Sequence, residues 1–180
     1  MKRLRLLIFV WLMFVPLGCE NESSESIPQA MQAAGIKDRQ IIHEHELEDV
    51  VLVFYQEPTG GLDAGLVNKT GTGYKWGFGG GTAYEKDDVP WVWTNLDLNS
   101  KEKRYQVYYG IVKNDNIARL HIKHNNEGLS TINKDAEIVP TQDYRIWFAL
   151  QDRYSDIHPG FLLTGYSKDG EEIFSLSMNS

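Results

Sequence analysis

The sequence predicts a mainly β fold: an antiparallel sandwich or curled sheet with one short N-terminal helix. Three observations point there. Beyond residue 40, short runs rich in β-branched and aromatic residues recur between clusters of Gly, Asn, Asp and Lys. Several runs alternate apolar and polar residues with period two, as half-buried strands do. One segment, residues 27–35 (IPQAMQAAG), carries a proline just inside its start and a glycine at its end, the asymmetry of a short helix.

In chain order, residues 41–47 alternate, and residues 50–55 (VVLVFY) form a continuous apolar run of the kind buried on both faces. Glu48 and Asp49 between them predict a hairpin turn. Shorter strands are expected at 66–69, 74–78 and 90–94. In 105–112, Tyr105, Val107, Tyr109 and Ile111 share one face, with Gln106 and Tyr108 on the other. In 117–123, Ala118, Leu120 and Ile122 oppose Ile117, Arg119, His121 and Lys123. Asn114, Asp115 and Asn116 form the turn between these two strands. Strands at 136–139, 144–150, 161–167 and 171–176 complete the series. Lys168-Asp169-Gly170-Glu171 makes the last hairpin, with Gly170 at positive φ. About ten strands separated by turn residues argue for one mainly β domain over 27–180. The polar interval 96–103 is the place where two small units could part.

The N-terminus carries a different signal. Lys2, Arg3 and Arg5 precede an unbroken apolar run, residues 6–15, too short to span a bilayer and of the length of a signal-peptide core. Pro16, Leu17 and Gly18 then lead to Cys19, the only cysteine in the chain, so no internal disulfide can form. The polar residues after it, through Ser26, read as a tether. The division expected is 1–18 signal peptide, 19–26 lipidated cysteine and tether, and 27–180 folded domain. The competing reading, an uncleaved signal anchor with an incidental cysteine, explains neither the lone cysteine nor the polar stretch behind it.

Charge narrows the partners. The chain has 18 Lys+Arg and 25 Asp+Glu; three of the basic residues and none of the acids precede Cys19, leaving 15 against 25 and a net charge of −10. Such a domain repels nucleic acid and anionic headgroups. Membrane attachment is therefore expected through the lipid alone.

Gly18-Cys19 resembles the lipobox of bacterial lipoproteins, whose cysteine thiol takes a diacylglycerol, although Pro16 and Leu17 stand where that pattern has leucine and a small residue. The segments 53–55, 64–67, 74–81 (YKWGFGGG), 109–112, 145–148 and Asp169-Gly170 are similar to those of a group of small lipoproteins of Gram-positive bacteria. The resemblance implies a lipid-anchored protein on the extracytoplasmic face of the cell membrane, and it carries no assigned chemistry.

Candidate sites are few. His43 and His45, two residues apart on a strand, project to one face with Ile41 and Leu47 and could begin a metal site, which needs at least one further ligand. Half-exposed sheet histidines are the plainer reading. Trp76, Trp91 and Trp93, near Asp87, Asp88 and Glu85, could form an aromatic platform with a carboxylate rim for a cell-wall glycan; alternatively they are core. Gly79-Gly80-Gly81 lacks the Lys-Ser/Thr of a phosphate loop and reads as a bulge or close backbone approach. No nucleophile elbow or His-Glu-x-x-His helix is present in the sequence. The expectation is a non-catalytic binding or structural module at the cell envelope, without a cofactor, whose partner is a cell-wall glycan or another envelope protein. The alternatives are a glycan-binding or hydrolytic protein working near residues 85–88, or a metal-binding lipoprotein using His43 and His45.

Overall fold

A computed structural model describes residues 23–83, 88–97, 104–124, 132–151 and 160–178; Cys19 and Asp87 lie outside them. One helix and twelve strands occur among the described residues: α1 (Ile27–Ala33), β1 (Gln40–Leu47), β2 (Val50–Gln56), β3 (Leu62–Thr70), β4 (Gly73–Ala83), β5 (Trp91–Asp97), β6 (Arg104–Val112), β7 (Arg119–His124), β8 (Asn133–Asp135), β9 (Glu137–Pro140), β10 (Arg145–Gln151), β11 (Phe161–Tyr166) and β12 (Glu172–Met178). The fold is mainly β, as the residue pattern predicts. No described helix is long and apolar enough to cross a membrane.

The strands form three four-stranded antiparallel sheets. Sheet 1 is the meander β1-β2-β3-β4, sheet 2 has the order β5-β6-β10-β9, and sheet 3 the order β12-β11-β7-β8. Strand alternation stacks them. Val50, Leu52 and Phe54 of β2 pack with Val107, Tyr109 and Ile111 of β6 and Ile146 and Phe148 of β10, which joins sheet 1 to sheet 2. The opposite faces of β6 and β10 send Tyr108, Val112, Trp147 and Ala149 against Leu120, Ile122 and Leu163 of sheet 3. The outer face of sheet 1 buries Val51, Val53, Tyr55 and Val67 beneath Ile27, Ala30 and Met31 of α1. The order of layers is thus helix, sheet 1, sheet 2, sheet 3. Each of the larger aliphatic and phenylalanine side chains among these contributes about 1.5–3 kcal/mol by leaving water. Because sheet 2 is covered twice, its strands read as nearly unbroken apolar runs such as IWFAL.

Local signals account for the ends of α1. The Ser26 hydroxyl accepts a hydrogen bond from the Gln29 amide at 3.4 Å, Pro28 sits in the first turn, and Gly35 comes just after the helix with φ +85°. Ser24 and Tyr74 exchange backbone hydrogen bonds of 2.7 Å in both directions, and the Ser23 hydroxyl pairs with that of Thr72. Residues 23–26, whose composition reads as tether, therefore belong to the folded domain. Serine serves equally as a solvated spacer and as a cap, so composition alone does not separate the two roles.

Two backbone details shape the edge and the centre of this stack. The β1–β2 register slips between Ile41 and His43: Ile41 pairs with Tyr55, His43 with Phe54 and His45 with Leu52. The bulge at Ile42 reverses the alternation. Ile41 consequently packs on the α1 side rather than sharing the histidines' face, whereas Leu47 lies toward sheet 2 as expected. In sheet 2, Gly110 of β6 pairs with Trp91 of β5 and is approached by the residue before β5; a Cβ there would lie 1.9 Å from the Pro90 carbonyl oxygen and 2.8 Å from Trp147 Nε1.

Candidate metal centre

Among the described residues β1 is an edge strand of sheet 1 and β9 an edge strand of sheet 2. Restored to register by the bulge, His43 and His45 point from β1 into the gap between the sheets. Glu137 meets them from β9, where it pairs with Phe148 and has the same alternation as Val139, which faces sheet 1. One ligand atom from each of His43, His45 and Glu137 lies within 4.8 Å of the others, the single such group of three among the described residues. His45 Nδ1 is 3.8 Å from a Glu137 carboxylate oxygen, too long for a hydrogen bond.

The surroundings hold the rings in place. Phe148 meets His45 edge-on with centroids 4.9 Å apart and lies 5.9 Å from the His43 ring. Phe54 stacks on His43 at 6.2 Å. His43 Nε2 is buried without a hydrogen-bond partner, although a neutral imidazole nitrogen is either a donor or an acceptor and is costly to strand. Burial holds the His43 imidazole below its usual value; the Glu137 charge opposes this and His45 reinforces it. A neutral imidazole is the form that binds a metal.

The donor set fits a borderline divalent cation. Zinc takes imidazole nitrogen and carboxylate oxygen at about 2 Å, so tetrahedral donors sit ~3.3 Å from one another. The three donor atoms lie within 4.8 Å of one another, so the groups need to close by about 1.5 Å or less to reach that spacing. No protein-family model, curated protein or solved structure matches the chain.

The other candidates do not converge. Trp76 lies on the outer face of sheet 1, against Tyr55 at 6.1 Å, its ring close over Gly65 and Gly79. Trp91 and Trp93 share a face, as alternation requires, but it is the face of sheet 2 that packs on sheet 3, with Trp91 edge-on to Phe161 at 4.5 Å. Two sheets and the core between them separate Trp76 from this pair, so the three build no common platform. Asp87 and Glu85 lie outside the described residues. The Gly79–Gly81 stretch makes a close approach and irregular register: Gly79 packs under Trp76, Gly80 and Gly81 have positive φ, and the β3–β4 pairing slips nearby.

Among the remaining histidines, His121 faces outward from sheet 3 and spans Asp135 (2.8 Å) and Asn133 (2.9 Å). That hydrogen bond and Arg119 hold the Asp135 carboxyl below its usual range. The His124 side chain and His158 lie outside the described residues. Glu137 is the candidate ligand that residue spacing does not reveal, because it comes after β8, far along the chain. Its one signal is a charge sharing the alternation of Val139 in a short apolar strand.

Proposed function

We propose that this chain is a lipid-tethered, extracytoplasmic, non-catalytic domain that binds a divalent transition-metal cation through His43, His45 and Glu137. One observation carries the metal assignment: two imidazoles and a carboxylate from separate sheets meet around a buried nitrogen that no protein group pairs. Leaving such an atom unpaired costs about 1–3 kcal/mol, which a coordinate bond removes. The exported, lipid-anchored location rests on the charged and apolar N-terminus, the lone Cys19 and the likeness to small Gram-positive lipoproteins.

Two measurements test the two halves. Titration of the purified full chain with Zn2+ is expected to give one site per chain, lost in the His43→Ala/His45→Ala double variant; unchanged stoichiometry and affinity in that variant refute the site. Cys19→Ser is expected to release the folded protein from membranes. Its retention after a high-salt wash would favour a signal anchor instead.

A further inference from the structure

Sheets 1 and 2 are joined unequally at their two sides. On the β4/β5 side the backbones come close. A Cβ built on Gly81 would sit 3.2 Å from the Val92 side chain and 3.7 Å from the Trp93 carbonyl oxygen, and the Tyr109 hydroxyl of β6 hydrogen-bonds the Gly81 carbonyl oxygen of β4. On the β1/β9 side the candidate metal ligands face one another across the gap, with His45 and Glu137 at 3.8 Å. The first side is stitched by close backbone contact; on the second, an ion shared by the three ligands would add a tie to the packing.

The first described segment, residues 23–33, packs on sheet 1. Ser24 pairs with Tyr74 of β4, and α1 packs on the outer face of the same sheet. An anchor at Cys19 would therefore hold sheet 1, with sheets 2 and 3 attached through it.

We infer that the cation at His43, His45 and Glu137 is a clasp: it ties edge strand β1 of sheet 1 to edge strand β9 of sheet 2, so that metal occupancy sets how firmly the anchored layer holds the rest of the domain. This rests on the metal reading above and adds that ligands from both sheets bind one ion together. The histidines alone would make a site confined to β1, and Glu137 makes it a bridge. Because the ion binds more tightly when the two edges are together than to the histidines alone, it opposes their separation by mass action.

Hydrogen exchange read by mass spectrometry, on the full chain carrying Cys19→Ser in detergent micelles with and without Zn2+, tests the clasp. Free Zn2+ at a hundred times its Kd is expected to slow exchange through edge opening by about fiftyfold in both 40–47 and 137–140, since the opened edge keeps the two histidines and binds about a hundredfold more weakly. The hairpin of β11 and β12, remote from the ligands, serves as the unshifted reference. Glu137→Gln is expected to weaken Zn2+ binding about a hundredfold, since even a partner outside the ligand set changes affinity by about 10–100-fold. At saturating Zn2+ this variant is expected to protect β1 and leave β9 as in the metal-free protein. Stoichiometric Zn2+ binding that protects β1 but not β9 in the parent chain overturns the clasp and leaves the metal site standing. Absence of Zn2+ binding overturns both.

Discussion

Replacing His43 with leucine separates the demands of folding from those of the site. In the parent chain the Nε2 atom is buried and unpaired, a state that costs about 1–3 kcal/mol relative to an apolar group of similar shape. Leucine removes that cost. It forfeits the ring contacts with Phe54 at 6.2 Å and Phe148 at 5.9 Å, worth about 0.5–1.5 kcal/mol together with the fit they provide. The balance is a gain of about 1 kcal/mol for His43→Leu in the metal-free protein. Urea unfolding in the presence of a chelator, with the parent and variant compared at one pH and with equal m-values, measures it. The same variant is expected to lose Zn2+ binding, so that with excess Zn2+ the order of stability reverses. A His43→Leu protein that is less stable than the parent in chelator, or that binds Zn2+ with unchanged affinity, would refute the reasoning.

Three further predictions concern the frame around the site. Gly110→Ala places a Cβ 1.9 Å from the Pro90 carbonyl oxygen, which itself accepts a hydrogen bond from Ile111; the backbone must move, and a loss of about 1–3 kcal/mol is expected by denaturant titration. Burial raises the Asp63 carboxyl above its usual 3.8, against the hydrogen bonds it accepts from Ala64, Tyr55 and Tyr109. The folded state therefore binds its proton more tightly than the unfolded chain, and stability falls as pH rises from 3.8 to the folded-state pKa, then levels. Asp63→Asn, which keeps the acceptor oxygen, is expected to remove that fall and to be more stable than the parent at neutral pH; an unchanged pH profile would count against it. Arg145 donates to the carbonyl oxygens of Ile117 and Asn114, both at 2.7 Å, so Arg145→Met is expected to cost about 1.5–3 kcal/mol and to speed exchange in 113–118.

What the residues reveal before folding depends on the range of the interaction. The run VVLVFY announces β2 with both faces buried, and Pro28 with Gly35 announces α1, because each signal lies within a few residues of its effect. The bulge at Ile42 escapes notice: a slip of one residue leaves the composition of 41–47 unchanged yet turns Ile41 to the opposite face. The three-layer stack is half visible. Tyr108 and Trp147, both fully buried, sit on the faces of β6 and β10 opposite the first core, and apolar residues on both sides of a strand mark a middle sheet. Which sheets cover it is a matter of topology. The candidate metal site is legible as far as two histidines on one strand. Its third member waits on the pairing of β9 with β10, which no local pattern specifies.

The Ser24–Tyr74 bridge has a consequence of reach. Five peptide steps separate Cys19 from Ser24, at most about 17 Å of chain. A protein acylated at Cys19 would be moored on so short a line that it stays within the first few nanometres above the bilayer. It would meet only what is present in that layer, at a local concentration far above that of the surrounding space.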